Sequence, residues 1–259
     1  MHLLTRHGSP TLTSDLTDDA VTDLVMAEPR TRADGRPWVM CNMVTTLDGA
    51  ATVEGVSGAL GGAGDKVIFA ALRARSDVIV AGSATVLAER YRLPRAPHGV
   101  AGDWRGAHGK APRPRLCIVT SRGGVPDADR LIGELPSPTT DNPQFRPIIA
   151  TTDAAPDLAD ERFDVIRCGA DSVDPTMLVD RLAALGCSTI LCEGGPNLLG
   201  QFAANDLIDE WDFTIAATIV SGDAIRTVTG PGESPTAVSL DRGFIHHDGT
   251  LLLRYLRSG

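Results

Sequence analysis

The most informative chemical pattern in the chain is the sequence Glu193-Gly194-Gly195-Pro196. It follows four residues with strand propensity at 189–192, and a helix is predicted to begin at Pro196, because proline is favoured in a first helical turn. Two glycines let the backbone approach a ligand closely, and the amides of a helix N-terminus attract phosphate. The pattern indicates either a nucleotide site in which Glu193 faces a heterocycle, or an ordinary strand–turn–helix joint.

Two other strand ends carry groups that suit phosphates. A Gly-Ser-Ala-Thr turn at 82–85 follows a buried-type strand and opens a short helix, so its amides offer a second place for a pyrophosphate. Thr85 equally suits an ordinary helix start. Ser121 and Arg122 follow another apolar strand, where a hydroxyl and a guanidinium suit the 2′-phosphate of NADP(H). Together, these turns predict a dinucleotide lying across the carboxyl edge of a sheet.

Arginines near these turns are candidates for binding a substrate phosphate. Arg73 and Arg75 lie near the predicted end of a helix, where cations also suit the helix dipole. Arg92 and Arg95 lie in the loop after the next helix and would join them.

Three carboxylates are candidates for acid–base catalysis, namely Asp48, Asp65 and Glu193. Asp48 lies in a Thr-Leu-Asp-Gly corner at 46–49, where aspartate commonly caps a turn, so a structural role is its alternative. The sequence singles out none of the three as the general acid, and a bound water is another proton source.

The composition excludes several classes of function. The 259 residues carry a formal net charge of −9, which argues against non-specific nucleic-acid binding. No apolar run approaches the roughly 18 residues of a membrane span, and the N-terminus lacks the apolar core of a signal peptide. The five cysteines, which form no C-x-x-C pair, are interpreted as free thiols in a reducing cytoplasm. No metal site is predicted, because the histidines do not combine with cysteines at ligand spacing.

The sequence also lacks motifs that bring their own nucleophile or metal, such as G-x-S-x-G and H-E-x-x-H. Phosphate-binding turns without such a motif favour chemistry carried by a bound cofactor. Hydride transfer fits, because the cofactor supplies the reactive atom while the protein supplies geometry and polarity.

The elements that must position these residues alternate between strands and helices from residue 37 onward. Residues 1–34 are predicted to be an N-terminal extension containing a helix at 18–27, and residues 35–259 a single domain. Strands are predicted at 38–45, 77–81, 116–120, 148–151, 164–168 and 189–192. Helices are predicted at 65–75, 82–88, 175–185 and from 196 onward. Loops are predicted at 47–64, 90–113 and 123–147.

Three final strands, with no helix between them, are predicted at 211–219, 237–245 and 250–256. Parallel βαβ units followed by a strand-rich end predict an α/β fold. We expect a three-layer α/β/α domain with a mixed, mostly parallel sheet that ends antiparallel.

These motifs resemble the pyrimidine reductase family of riboflavin biosynthesis, whose domain occurs alone or behind a zinc deaminase. The resemblance covers roughly residue 36 to the C-terminus. It rests on Thr-Leu-Asp-Gly at 46–49, the segment 72–87, the strand ending at Ser121, Glu-Gly-Gly-Pro at 193–196 and Leu-Ile-Asp-Glu at 207–210. It implies a dihydrofolate-reductase-like fold and NADPH-dependent reduction of the ring-opened ribose of a ribosylaminopyrimidine phosphate.

The resemblance also implies roles for individual residues, which join those predicted from the turns. The predicted cofactor-binding residues are Val44, Gly82, Ser83, Thr85, Glu89, Ser121, Arg122, Gly194, Gly195, Pro196, Asn197, Leu198, Leu199, Gly200 and Gln201. The implied substrate-binding residues are Ser57, Arg73, Leu93, Arg95 and Glu193. The arginines are expected to face the substrate phosphate, and a homodimer is implied through the strands after residue 209.

The chain departs from the family pattern around the substrate. Ala50 and Asn42 stand where lysine is common, and Glu-Arg-Tyr at 89–91 replaces the usual Asp-Asp-Pro or Asp-Asn-Pro. Two alternatives therefore stay open. One is a dihydrofolate or pterin reductase on the same scaffold, and the other is a non-catalytic NADPH-binding protein.

Overall fold

The computed structural model describes residues 1–7, 9–10, 15–125, 127–132 and 145–258. Its strands are β1 (His2–Arg6), β2 (Ser9–Pro10), β3 (Trp38–Thr46), β4 (Val78–Gly82), β5 (Arg115–Val119), β6 (Ile148–Thr151), β7 (Asp164–Arg167), β8 (Thr189–Cys192), β9 (Glu210–Ala216), β10 (Val238–Ile245) and β11 (Leu251–Arg257). Its helices are α1 (Asp18–Ala27), α2 (Ala63–Arg75), α3 (Ser83–Ala88), α4 (Gly99–Ala107), α5 (Ala128–Ile132), α6 (Pro175–Ala184) and α7 (Pro196–Ala204).

The described strands form one mixed sheet in the order β2–β1–β10–β11–β9–β3–β8–β4–β5–β6–β7. The strands from β9 through β3 and β8 to β7 run parallel, whereas β9, β11, β10, β1 and β2 pair antiparallel. Parallel neighbours need crossover connections, and α2, α3, α6 and α7 supply them. The predicted α/β class, with a mixed and mostly parallel sheet that ends antiparallel, is confirmed.

Two apolar cores lie on the two faces of the sheet, because successive side chains of a strand point to opposite sides. In β4, Ile79 belongs to the core shared with α1, α2 and α4, while Val80 belongs to the core shared with α6 and α7. Leu116 and Cys117 of β5 divide in the same way. Burial on both faces explains why these strands are continuous apolar runs in the sequence.

The stretch 90–113 contains α4, so the prediction of a surface loop is wrong for the residues of this helix. Its glycines lower the intrinsic helix propensity, but tertiary contacts favour the helix. The buried Arg105 guanidinium donates to the carbonyl oxygen of Ser76 at 2.7 Å, and Ala101 packs into a core. Composition alone therefore gave the wrong element here.

The short helix α5 lies within the predicted loop 123–147, so that prediction is also wrong for its residues. Residues 126 and 133–144 of the same stretch lie outside the described residues. The other predicted strands and helices agree with the structure to within a few residues at their ends.

Residues of the N-terminal segment contribute to the sheet and to one core. β1 pairs with β10, α1 lies against α2 and α4, and Val21 and Val25 are fully buried. Thr17 caps α1 by accepting a hydrogen bond from the Ala20 amide at 3.2 Å. The division into an extension at 1–34 and a single domain at 35–259 stays a prediction.

A buried group of charged residues, here named the inner ion cluster, joins the segment after α1 to β9, β10 and β11. Its members are Glu28, Arg30, Glu210, Asp212, Arg242 and Arg254. Glu210 accepts hydrogen bonds from Arg30 at 2.6 and 2.9 Å and from Arg254 at 3.1 Å. Although burial opposes ionisation, the charges of Arg30 and Arg254 hold the pKa of Glu210 well below its ordinary value.

All five cysteines are buried and free, as predicted. Burial raises the pKa of the Cys192 thiol to about 12, so this thiol stays protonated at neutral pH and is a poor nucleophile. Among the described residues, no helix combines the length and apolarity needed to cross a bilayer.

Candidate active site

A cavity of about 810 Å³ opens at the edge where the parallel strands β3, β4 and β8 end. Residues of α2, α3, the loop after β3 and the loop 89–95 form its walls. The predicted site residues that line it are Val44, Ser57, Asp65, Arg73, Thr85, Glu89, Leu93, Arg95, Glu193, Gly195 and Pro196. A cavity of this size accommodates a small-molecule ligand, and the fold brings predicted cofactor and substrate residues to one space.

Glu193, directly after β8, belongs to a group named here the cavity cluster, which consists of Arg73, Tyr91 and Glu193. Arg73, in the last turn of α2, donates from Nε to Oε1 at 2.6 Å and from Nη2 to Oε2 at 2.7 Å. The Tyr91 hydroxyl donates to Oε2 at 2.6 Å. Because the Glu193 side chain is only 2% exposed, these contacts hold the carboxylate in one orientation.

The pairing changes the role expected for Arg73. Although burial opposes its charge, the Glu193 carboxylate raises the pKa of the Arg73 guanidinium above its ordinary value. The guanidinium also lies 4.1 Å from the centre of the Phe69 ring, a cation–π contact. This geometry places Arg73 to orient Glu193, and the phosphate contact implied by the resemblance stays a prediction.

Other cations surround the cavity. Lys66, Arg90, Arg92 and Arg95 line it, and these side chains are exposed. Arg92 and Arg95 are predicted from the sequence as phosphate-binding candidates, whereas Lys66 and Arg90 are not. The sequence did offer a signal for both residues. Lys66 is next to the candidate Asp65, and Arg90 lies in the segment 89–91 that departs from the family pattern.

Asp65 and Asn42 give the cavity two partly satisfied polar groups. Asp65, in the first turn of α2, accepts a hydrogen bond from the Thr214 hydroxyl at 2.5 Å. Burial raises the pKa of Asp65 above its ordinary value of 3.8, so this carboxyl keeps its proton to a higher pH. The amide nitrogen of Asn42 is buried without a hydrogen-bond partner among the described residues. Such a donor is costly, and a ligand is one way of satisfying it.

Asp48 lies outside the set of described residues that line the cavity. Its carboxylate accepts hydrogen bonds from the Thr46 hydroxyl and from the amides of Ser221 at 2.6 Å and Val220 at 3.2 Å. These bonds, that from Thr46 first, lower the pKa of Asp48 below 3.8. Asp48 thus joins the corner after β3 to the loop after β9, and its position does not support the predicted catalytic role.

Glu89 holds the glycine-rich loop at the cavity wall. Its Oε1 accepts a hydrogen bond from the Ser57 amide at 2.7 Å. Both residues line the cavity, so the loop that the sequence left without a fixed position has one anchor. Leu93, on the same connection as Glu89, is buried.

The N-termini of α3 and α7 meet at the cavity. Gly82 caps α3, which Ser83 opens, and the Gly82 amide donates to the Gly194 carbonyl at 2.8 Å. A Cβ on Gly195 would lie 2.6 Å from the hydroxyl oxygen of Thr85. The absence of a side chain is therefore required at Gly195, which leaves the backbone of this turn accessible.

The rest of the predicted phosphate-binding segment differs from residue to residue. The leucines at 198–199 are buried in the core, and a Cβ on Gly200 would lie 1.8 Å from the carbonyl oxygen of Thr229. Asn197 is exposed and accepts a hydrogen bond from Gln201 at 2.7 Å. Of the segment 195–201, the described cavity lining includes Gly195 and Pro196, so the N-terminus of α7 is the part nearest to a ligand in the cavity.

Ser121 and Arg122 follow β5 and are exposed, and neither is among the described residues that line the cavity. β4 and β5 end at the same level, since Gly82 pairs with Val119. Both residues therefore lie on the same sheet edge as the N-terminus of α3. The predicted contact with a terminal phosphate stays a prediction.

One group of described residues has side chains that could hold a metal ion. The ligand atoms of His2, Asp15 and His247 lie within 4.8 Å of one another. These residues are not among those that line the cavity, so this group belongs to a different part of the molecule.

The fold and the cavity together define a class of protein. Parallel strands of a mixed sheet end at a ligand-sized cavity whose wall carries helix N-termini and a fixed carboxylate, which is the layout of an α/β protein that binds a small molecule at the carboxyl edge of its sheet. Residues 37–250 match the family model of the RibD C-terminal domain. The chain belongs to this family, and the resemblance read from the sequence is confirmed.

Curated relatives support the same assignment. The 2,5-diamino-6-ribosylamino-4(3H)-pyrimidinone 5′-phosphate reductase of Methanothermobacter thermautotrophicus is 30% identical over 214 residues, which cover 80% of this chain and 91% of the relative. The riboflavin biosynthesis protein RibD of Chlamydia trachomatis is 31% identical over 185 residues, which cover 69% of this chain and 45% of the relative.

Solved structures share the fold. A pyrimidine reductase-like protein from Corynebacterium diphtheriae superposes with a TM-score of 0.78 at 24% identity, covering 92% of this chain and 99% of that one. The riboflavin biosynthesis reductase Rib7 of Saccharomyces cerevisiae gives 0.64 at 20% identity, with 88% and 93% covered.

Proposed function

We propose that this protein is an NADPH-dependent reductase that acts on a ribosylaminopyrimidine phosphate in riboflavin biosynthesis. The relative from Methanothermobacter thermautotrophicus carries the name of such a reductase, and this chain matches the RibD C-terminal domain over most of its length. The observation that carries the proposal is the cavity, where two helix N-termini and the fixed carboxylate of Glu193 face one space.

The chain offers surfaces that fit a dinucleotide. Thr85 lies so close to Gly195 that there is no room for a Cβ at position 195. A bound pyrophosphate would therefore meet main-chain amides there, not a side chain. We assign the first turn of α7 to the pyrophosphate, and the exposed Ser121 and Arg122 to the 2′-phosphate that distinguishes NADPH from NADH. When bound, NADPH supplies the hydride.

We assign the cavity cluster and the cationic residues around it to the substrate. Glu193 would accept a hydrogen bond from an N–H or O–H group, and Arg73 would hold that carboxylate in position. Arg95 and Lys66 are the cations that we assign to the phosphate, because both line the cavity and neither is bound to Glu193 in the way Arg73 is. Ser57 is held at the same wall through its amide.

Asp65 is the residue that we propose as the proton source. Reduction of a carbon–nitrogen double bond adds a hydride to carbon and a proton to nitrogen, so a protonated group is needed beside the substrate. Burial keeps Asp65 protonated to a higher pH than an exposed aspartate, and the Thr214 hydroxyl fixes its orientation. A carboxyl with a raised pKa in a cavity suits this role.

NADPH oxidation by the purified protein tests the function. We expect turnover with the 5′-phosphate of a ribosylaminopyrimidine, and none when the phosphate is removed from the substrate. NADPH should raise the melting temperature more than NADH does, and Arg122→Ala should remove that difference. Equal stabilisation of the unaltered protein by the two cofactors would contradict the assignment of the 2′-phosphate.

A dihydrofolate or pterin reductase is the second candidate function. The unpartnered amide of Asn42 on the cavity wall favours it, because the resemblance implies lysine at this position in reductases of phosphorylated pyrimidines. Dihydrofolate and the ribosylaminopyrimidine phosphate should therefore be assayed side by side. Faster turnover of dihydrofolate would replace the first proposal, and tight NADPH binding without turnover of either compound would indicate a non-catalytic binding protein.

The assembly and location of the protein are also proposals. We propose a cytoplasmic homodimer, formed through the strands after residue 209, and a reductase domain at 35–259, close to the matched range 37–250. Sedimentation that shows only monomer at micromolar concentration would contradict the dimer. Residues 1–34 include the buried Glu28 and Arg30 of the inner ion cluster, so unfolding of the fragment 35–259 after their removal would contradict the proposed boundary.

A further inference from the structure

Tyr91 is held rigidly beside Glu193 by its own backbone. Its amide donates to the Val86 carbonyl at 3.0 Å, and its carbonyl accepts a hydrogen bond from Arg130 at 2.8 Å. Both backbone polar groups of Tyr91 therefore have a partner, which fixes the connection after α3 at this residue. The phenol can meet the carboxylate without the entropy cost of ordering a mobile loop.

The donors around Glu193 occupy most of its acceptor positions. A carboxylate has roughly four lone-pair positions, two on each oxygen. Arg73 takes one on Oε1 and one on Oε2, and Tyr91 takes the second on Oε2. One position, on Oε1, is left for a molecule in the cavity that Glu193 lines.

We propose that Tyr91 is a positioning and specificity-determining residue of this site. Its hydroxyl closes Oε2 and thereby limits Glu193 to one substrate donor, presented at Oε1. The inference rests on the proposed function for its substrate, but the contact itself does not. Neither the carboxylate motif nor the helix periodicity indicated this tyrosine, and the resemblance implies proline at position 91.

Kinetics of Tyr91→Phe test the role with the ribosylaminopyrimidine phosphate. Phenylalanine keeps the ring and removes one charge-assisted hydrogen bond, so Oε2 gains a free position and the carboxylate loses part of its restraint. We expect KM for the substrate to rise about tenfold while kcat changes less than about threefold, which is the pattern of lost uniform binding. The dissociation constant of NADPH should not change.

Tyr255→Phe is the matched control, because these are the two tyrosines of the chain. Tyr255 lies in β11 opposite Trp211, on the antiparallel part of the sheet. We expect this variant to keep the KM of the unaltered protein. The inference would be overturned if Glu193→Gln raises the KM for the substrate and Tyr91→Phe leaves it unchanged. That result would leave the proposed function intact.

A spectroscopic measurement tests the contact without turnover. Tyr255→Phe protein can be labelled with difluorotyrosine, whose phenol is more acidic, so that Tyr91 alone reports by fluorine NMR. Burial and the Glu193 charge raise the pKa of Tyr91 well above its ordinary value, so the label should ionise at a higher pH than the free amino acid. Glu193→Gln should shift that ionisation downward.

The two measurements separate the possible failures. Ionisation at the pH of the free amino acid, insensitive to Glu193→Gln, would overturn the inference whatever the substrate is. If no pyrimidine phosphate is reduced by the unaltered protein, the proposed function fails, and the fluorine signal still decides whether Tyr91 contacts Glu193.

Discussion

The inner ion cluster and the cavity cluster each contain a buried glutamate that is bound by arginine, but the two glutamates differ in their access to a ligand. Glu210 accepts two hydrogen bonds from Arg30, one from Arg254 and one from the Trp38 indole at 2.9 Å. Glu193 accepts three. The Glu210 side chain is fully buried, its Oε1 also lies 2.9 Å from Nε of Arg254, and it is not among the described residues that line the cavity. Glu193 lines the cavity and keeps one acceptor position there.

The difference separates two uses of buried charge. A buried set of ion pairs that no ligand reaches contributes little net stability relative to an apolar core, yet removal of one member leaves an uncompensated charge and is strongly destabilising. A carboxylate that ion pairs hold at a cavity wall is also restrained, but it presents an acceptor to a bound molecule. Substitution in the inner ion cluster should therefore affect folding, and substitution in the cavity cluster should affect binding and catalysis.

Glu210→Gln is expected to give the largest loss of stability. Glutamine keeps the size of the side chain but leaves Arg30 and Arg254 without their shared carboxylate in a fully buried place. We expect a loss of about 3 kcal/mol or more in the free energy of unfolding, and a fall of roughly 10 °C in melting temperature. Thermal and urea unfolding measure both, with the exposed Glu233→Gln as the control. A loss no larger than that of the control would show that the two clusters do not differ.

Glu193→Gln is expected to have the opposite profile. The Arg73 side chain is 26% exposed, so its charge can be hydrated when its partner becomes neutral, and the melting temperature should change much less than in Glu210→Gln. Because the charged acceptor is lost at the cavity, kcat/KM should fall by about 100-fold. Steady-state NADPH oxidation and thermal unfolding of the same preparation give both values. A large loss of stability with unchanged activity would assign Glu193 to folding.

The sequence predicts the sheet and helices that carry the two clusters better than it predicts the contacts within them. Strand runs such as 148–151 and the turn at Gly194–Gly195 are local patterns, and hydrophobic burial forces them into one sheet. The pairing of Arg30 with Glu210 joins residues 180 positions apart, and no local pattern encodes that distance. α4 was missed for the same reason, since a buried arginine contact outweighs its weak propensity.

The candidate site was predictable only in part. Carboxyl ends of parallel strands meet at one edge, which is why Thr85, Glu193 and Gly195 could be placed together from their positions after strands. Tyr91 follows a short helix, and only the folded chain brings its hydroxyl to Glu193. Asp48 has the residue type of a catalyst but lies where turn chemistry needs an aspartate.

Asp65→Asn tests whether Asp65 is the proton source and whether its buried carboxyl lowers the stability of the folded protein at neutral pH. Burial raises the pKa of Asp65 above 3.8, so the folded protein holds this proton more tightly than the unfolded chain does. Stability from this group is present at low pH and is lost as pH rises above the ordinary pKa. We expect Asp65→Asn to raise the melting temperature at pH 7 but not near pH 3, while kcat falls by roughly tenfold. Unchanged kcat would contradict its role as proton source.

Asp48→Asn should have the smallest effect on activity of the four substitutions. The carboxylate binds the amides of Val220 and Ser221 rather than facing the cavity, and asparagine keeps one carbonyl oxygen as an acceptor. The hydrogen bonds that lower the pKa of Asp48 stabilise the ionised form, so their contribution is present above the ordinary pKa and is lost as pH falls. We expect kcat/KM within about twofold of the unaltered protein and a small fall in melting temperature at pH 7 that disappears in acid. A selective loss of kcat with an unchanged melting temperature would return Asp48 to the catalytic residues.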